Sequence, residues 1–199
     1  MSRYLGPRVK KIRHLGELPG FTRKSVPSDS KLNTFRKKTS SFGIRLEEKQ
    51  KIRFNYGIGE KQLLNYMRSA HNCKGPTGEI LLQMLEMRLD NTVFRMGFAP
   101  TIPAARQLIR HGHICIKNNS ISVPSYSCKP GDLISVKENN RSLDLVKKSF
   151  SNPTLLQVPP HIELDKLTMT AKLKGIVERD WVGLNLKELL VVEYYSRKI

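Results

Sequence analysis

Apolar residues recur with a helical period from Arg45 onward. In the stretch RLEEKQKIRFNYG, Leu46 and Ile52 alternate with Lys49, Lys51 and Arg53, and Glu47 stands four residues before Lys51, a spacing that supports a helix. Gly57 and Gly59 end it. A second helix is expected over 60–70, with Leu63, Leu64 and Met67 on one face. A third is expected over 79–96, where Ile80, Leu81, Met84, Leu85, Met87, Leu89 and Val93 keep the period and Gly97 follows the end. Thr101 reads as the N-cap of a fourth, with Pro103 in its first turn, a body over 104–111, Leu108 and Ile109 facing inward, and Gly112 as its stop.

The period then changes to two. HICI, a turn at Lys117, Asn118 and Asn119, and SISV read as a β-hairpin; Pro130, Gly131 and Asp132 make a second turn into LISV. Residues 139–152 read as polar connection, with two more strands expected near 161–164 and 168–177. Asn185 and Glu188 stand at capping-box spacing before ELLVVEYYS, which predicts a final helix with Leu186, Leu189, Leu190 and Tyr194 inward. The β-branched pair Val191 and Val192 keeps a strand open as the alternative. Residues 1–44 show neither period. Pro7, Gly16, Pro19, Gly20 and Pro27 punctuate a segment rich in Lys, Arg and Ser that holds too little apolar surface to offset its ordering entropy alone. It reads as an extended arm ordered by a partner, with Tyr4, Leu5, Phe21, Phe35 and Phe42 as apolar anchors.

Charge identifies the kind of partner. The 199 residues carry a formal net charge of +18. Residues 1–55 alone hold 15 Lys and Arg against four acids, a net +11, whereas 156–199 add only +1. Such an excess favours a polyanion and makes its binding steeply salt-dependent. Nucleic acid is the reading preferred over an anionic membrane surface, since no long basic helix carries a Trp- and Leu-rich face. The first residues are basic but lack the apolar stretch of a secretory signal, and Pro7, Gly16, Pro19 and Gly20 interrupt any amphipathic transit helix.

Candidate catalytic chemistry is sparse. No phosphate-binding loop, dinucleotide fingerprint or nucleophile elbow occurs. Cys73, Cys115 and Cys128 are widely spaced, and His14, His71, His111, His113 and His161 form no ligand cluster, so neither a metal nor a disulfide framework is expected. Asp90 is the conspicuous acid of a basic region and is expected to pair internally with Arg88 or Arg95, or to cap a neighbouring backbone, because a general acid needs a partner group and a pocket. The helix pair carrying Arg88, Arg95, Arg106, Gln107, Arg110 and His111, with Lys117 at the hairpin, reads instead as a phosphate-gripping surface. RNA is favoured over DNA, since no DNA-reading motif is present. Tyr4, Phe21, Tyr56 and Tyr126 are candidate base-stacking residues.

Together SRYLGPRVKKIRHLGELPGF, LEEKQKIRFNYG, MLEMRLDNTVFRMGFAPTIPAARQLIRHGHI and ELLVVEYYSRKI resemble the bacterial-type family of small-subunit ribosomal protein four, most closely its plastid members, over nearly the whole chain. The resemblance implies an α+β fold: a helical domain with an inserted RNA-binding module of helices and a small antiparallel β-sheet, preceded by an extended basic arm. The corresponding segments are an arm at 1–44, a helical domain at 45–87 completed by a C-terminal helix at 185–197, and the module at 88–180. It implies a primary binder of small-subunit rRNA, at a junction in the five-prime domain, that nucleates assembly of the subunit body. Contacts with ribosomal protein five and with mRNA near the entry channel, and a contribution to decoding accuracy, follow from the same resemblance. The implied setting is the ribosome of the plastid (chloroplast) stroma, or of the bacterial cytoplasm. No catalytic residue, cofactor, metal, membrane or small-molecule substrate is expected for this chain. Carried onto this chain, the rRNA-facing positions are Arg3, Arg8, Lys10, Lys11, Lys49, Lys51, Arg53, Arg88, Arg95, Arg106, Gln107, Arg110, His111 and Lys117. A free RNA chaperone, or an RNA-modifying enzyme using the same module, is the alternative. The chain departs from the family at the hairpin turn, where Lys117, Asn118 and Asn119 replace the usual Val-Asn-Gly. It also lacks the zinc-binding cysteine quartet of some bacterial members and is short of the glycine-rich link near 37–42.

Overall fold

The computed structural model describes residues 4–24, 40–150 and 157–196. They fall into two compact units, one from residues 1–81 with 183–199 and one from 82–182.

The first unit is helical. Helix α1 (Arg8–Leu15) is an addition to the sequence reading, which expected no regular structure in the arm. Its Ile12 and Leu15 are buried, as are Leu18 and Phe21 of the turn that follows. These four apolar side chains are too widely scattered among charges to show a period, yet together they seat the segment. Asn55, itself buried on α2 (Ser41–Asn55), accepts the Gly20 N–H at 2.9 Å. Tyr4, Phe21 and Phe54 form a ring cluster with centroids 5.2–6.1 Å apart. Helix α2 begins at Ser41, earlier than its apolar period suggests, because the Ser40 hydroxyl caps the Gly43 N–H.

Helix α3 (Glu60–His71) packs Leu63, Met67 and Ala70 inward. The last element is helix α8 (Glu188–Tyr195), so the strand alternative for this segment does not occur. No capping box forms: Asn185 lies ahead of the helix, and the Lys187 N–H donates instead to Glu48 Oε2 at 3.0 Å. The inward set also shifts. Leu186, Val191 and Tyr195 are buried, whereas Leu189 is 73% exposed, since the helix begins at Glu188 rather than directly after Asn185.

The second unit holds the sheet. The expected long helix over 79–96 is two helices, α4 (Thr77–Glu86) and α5 (Leu89–Arg95). Arg88 between them is extended, at φ −73° and ψ 140°, and bridges to Ser127. Cys128 donates to the Met87 carbonyl (2.8 Å), Leu89 to Tyr126 (2.9 Å) and Asp90 to Pro124 (3.1 Å). A passing loop thus takes up the backbone groups that a continuous helix would have bonded to itself. Helix α6 (Ile102–Arg110) is capped as expected by Thr101, whose hydroxyl accepts from Ala104 N, and buries Ile102, Ala105 and Ile109.

Five antiparallel strands follow: β1 (Ile114–Ile116), β2 (Asn119–Ser120), β3 (Leu133–Val136), β4 (Ile162–Asp165) and β5 (Thr170–Leu173), in the order β2-β1-β3-β5-β4. The hairpin turn consists of two residues, Lys117 and Asn118, at φ 49° and 67°. Two positive φ values define the type I′ turn that matches strand twist, formed here without glycine. A lysine in that region costs roughly 1–2 kcal/mol.

Residues 139–150, read as connection, contain helix α7 (Asn140–Phe150). Leu143, Val146 and Phe150 supply its apolar stripe, the Asn139 side chain accepts from Arg141 N, and Phe150 meets Phe98 edge-on at 5.7 Å. Ser149 closes it against the second unit's core through the Gly97 carbonyl at 2.9 Å.

Replacing Asn55 with Ala leaves the Gly20 N–H buried without its acceptor, which costs about 1–3 kcal/mol. Hydrogen exchange should then show the amides of 12–21 losing protection while those of α3 keep theirs. Unchanged protection at 12–21 would show that Asn55 does not hold the arm.

Candidate nucleic-acid interface

In the second unit, helix α6 sets four polar side chains on one flank. Arg106 and Arg110 are one turn apart, as are Gln107 and His111, and Ile102, Ala105 and Ile109 occupy the opposite face. Gln107, Arg110 and His111 are exposed. His111 and His113 rings lie 6.0 Å apart, and His113 Nδ1 is 2.9 Å from the Ser142 hydroxyl of α7. Burial pushes the His113 pKa down, and the positive field of His111, Arg141 and Lys137 pushes it further. Lys137 and Arg141 therefore extend the same basic field. Sequence reasoning misses Arg141 because 139–152 read as connection, and Lys137 because it stands just ahead of that segment; the available signal is basic residues flanking an amphipathic Leu143, Val146 and Phe150 pattern.

Two buried carboxylates orient cations at this surface. Asp90 Oδ2 accepts Arg106 Nε at 2.7 Å. Asp132, buried at the start of β3, pairs through Oδ1 with Lys117 Nζ at 2.9 Å and through Oδ2 with the Lys129 N–H at 2.8 Å. Burial raises the Asp132 pKa, but the Lys117 ammonium and the Lys129 amide outweigh it and hold the carboxyl below its ordinary range.

Arg88 and Arg95 are corrected by the structure. Both are buried and face inward, so neither presents its guanidinium at the surface. Arg88 makes a bidentate pair with Asp90 (3.1 and 2.9 Å), and Arg95 with Glu86 (3.0 and 2.9 Å). Asn91 completes the second pair through Glu86 Oε2 at 2.6 Å. Taking the ions out of water costs more than a surface contact returns, unless each meets a carboxylate in good geometry, as both do here. The expected internal pairing of Asp90 is present with Arg88, while Arg95 takes Glu86.

In the first unit, Lys49 is likewise corrected. It is buried, pairs with Glu60 Oε2 at 3.0 Å and lies 4.6 Å over the Tyr194 ring. Tyr195 donates to Glu60 Oε1 at 2.8 Å; burial and this bond push the phenol pKa upward. Lys51 pairs with Glu48, and Arg53 is half-buried in the field of Glu60. Arg8 donates to the Phe21 carbonyl at 3.3 Å and sits 5.3 Å over its ring, while Lys11 lies over Tyr4 and Phe54. Lys10 is exposed, with Arg13, Arg23 and Lys24 as further exposed cations. Arg3 and Phe35 lie outside the described residues. Among the stacking candidates Phe21 and Tyr56 are buried and serve the core; Tyr4 and Tyr126 remain accessible.

Among the described residues no cluster of His, Cys, Asp and Glu could hold a metal, and no helix is long and apolar enough to cross a membrane. Burial pushes the Cys128 thiol up to about 12, which leaves it unreactive.

A basic helix flank and a hairpin-tip lysine, held by buried acids, define a polyanion-binding class of protein. Its family follows from comparison with known proteins. Residues 3–86 match the Ribosomal protein S4/S9 N-terminal domain, and 87–134 match the S4 domain. Over its whole length, and the whole length of each relative, the chain is 58% identical to small ribosomal subunit protein uS4 of Thermosynechococcus vestitus. It is likewise 58% identical to uS4c of Rhodomonas salina and 54% to uS4c of Porphyra purpurea. The chain belongs to the small ribosomal subunit protein uS4 family.

Glu86→Gln removes the carboxylate charge that pairs with buried Arg95, a loss of about 3–5 kcal/mol in urea unfolding. Arg110→Ala, at an exposed position, should leave stability nearly unchanged. Equal effects of the two would overturn the division between buried and surface arginines. Alkylation of the folded chain at pH 8 should modify the exposed Cys73 and spare Cys128; equal rates would show that the Cys128 site opens readily.

Proposed function

We propose that this chain is a structural constituent of the small ribosomal subunit that binds small-subunit rRNA without catalysis. The observation that carries this is the α6 flank, where Arg106 and Arg110 stand beside Gln107 and His111, with Lys117 at the hairpin tip, all within the segment matching the S4 domain. Full-length correspondence to small-subunit relatives disfavours a free RNA chaperone or an RNA-modifying enzyme. The exposed Lys10, together with Arg8, Lys11, Lys51 and Arg53, supplies the contact in the first unit. On this reading the protein is a primary binder of the five-prime domain, nucleates assembly of the subunit body, touches ribosomal protein five, and lies near the mRNA entry path with an effect on accuracy. Its setting is a plastid stroma, in keeping with the algal uS4c relatives, or a bacterial cytoplasm.

The phosphate backbone dominates such binding, so its free energy follows salt. Purified chain and a five-prime-domain transcript should give a linear fall of log K with log salt, and Arg110→Ala should reduce the slope magnitude by about one. A salt-independent affinity, or a chain that sediments apart from ribosomes in its native extract, would overturn the reading.

A further inference from the structure

We infer that Asp132 is a positioning residue, which holds the Lys117 ammonium at the hairpin tip in a fixed direction for a backbone phosphate of the bound RNA. The inference rests on the proposed RNA contact at this tip and identifies how that contact is built.

Three observations meet at this point. First, Lys117 occupies a turn position at φ 49° that glycine or asparagine fills with less strain. A strained position held by a charged side chain is where function is to be sought. Second, the side chain reaches back rather than out. It is 64% exposed, yet its Nζ lies 2.9 Å from a carboxylate that is 3% exposed. Third, the carboxylate cannot follow the lysine. The Lys129 N–H holds Oδ2 at 2.8 Å, Asp132 N donates to Lys129 O at 3.1 Å, and the Asp132 carbonyl accepts from Leu173 N at 3.1 Å on β5. The next residue, Leu133, accepts from the Lys117 N–H at 2.9 Å, so the backbone and the side chain of Lys117 are tied to adjacent residues at one strand end.

An ammonium has three N–H donors. Asp132 takes one, which leaves two for an acceptor on the solvent side of this 64% exposed side chain. An exposed lysine ordinarily loses rotamer freedom when it meets a phosphate; on this proposal the Asp132 contact restricts that freedom before RNA arrives. Asp132 has the wrong sign to touch RNA, and its burial keeps it out of contact.

The sign of the effect makes the test decisive. If Asp132 were only a nearby negative charge, Asp132→Asn would tighten RNA binding. As a positioning residue, its loss should weaken binding to the five-prime-domain transcript roughly 2- to 12-fold, the equivalent of one immobilised side chain. Asn keeps an oxygen for the Lys129 N–H. In a Lys117→Ala background the same change should have no such effect. Unchanged or tighter binding, or an equal loss in both backgrounds, overturns the positioning role. If Lys117→Ala alone leaves affinity unchanged, the proposed RNA contact at the tip itself fails. A measurement on the unmutated full chain guards against a misfolded variant. By relaxation NMR without RNA, the Lys117 Cε methylene should be more ordered than those of the exposed Lys129 and Lys137. Equal mobility of the three overturns the proposal.

Discussion

In the sheet-bearing unit, the pairing of buried arginine with buried carboxylate constrains everything around it. A guanidinium cannot shed its charge, so once it leaves water it must find a carboxylate with matching geometry. Glu86 and Asp90 meet that demand for Arg95 and Arg88 through four hydrogen bonds of 2.9–3.1 Å. Glu86 ends α4, while Asp90 and Arg95 belong to α5, so the pairs form only if the chain bends between the two helices. The bend in turn frees backbone groups that the 124–128 loop must take up. Asp90 then reaches Arg106 and ties α6 to the same hub. Helix break, loop path and the setting of the basic helix are thus consequences of neutralising two internal charges.

The helical unit uses the same physics in another arrangement. Lys49, Glu60 and Tyr195 are joined within 3.0 Å, drawing α2, α3 and α8 together around one ion pair. Cation and aromatic faces take over where acids are scarce: Lys11 and Arg8 lie against the cluster of Tyr4, Phe21 and Phe54. Ring quadrupoles accept positive charge without spending an acid. A strongly basic chain can therefore seat its first helix on α2 even though the residues of that segment lack a regular apolar period.

Legibility in the sequence followed the strength of local signals. Thr101 with Pro103, and Gly112 after His111, announce the ends of α6 because capping chemistry is local. The hairpin was legible from its alternating period, although Lys117 does not favour the I′ turn it adopts with Asn118, and the second strand is Asn119–Ser120 rather than the whole of SISV. The α4 to α5 break was not, since apolar spacing runs on through Met87 and Leu89, and the backbone partners of the break lie in a loop some forty residues later. Helix α7 was hidden by Asn, Arg, Ser and Lys around a stripe of only three apolar residues. In one straight helix over 79–96, Arg88 and Arg95 would lie two turns apart on one face; the break between α4 and α5 removes that geometry. The acids were visible all along. Glu86 and Asp90 lie within two residues of Arg88, and counting acids near each arginine would have marked that segment as internally balanced before its charge was assigned to the surface.

That balance bears on how the protein grips a polyanion. Cations paired with internal carboxylates add nothing to the outward field, and the net +18 of the chain already counts each such pair as zero. The cations that remain at its surface differ in kind. Arg106 and Lys117 are anchored by buried acids, at 2.7 and 2.9 Å, whereas Arg110 and His111 extend from the exposed helix flank. An exposed cation contributes mainly through counterion release, wherever along a backbone it lands. An anchored one contributes only where a phosphate occupies the direction in which it is held. On the proposed RNA contact, affinity for any polyanion and discrimination of one folded shape would then reside in different side chains, with the buried carboxylates separating the two.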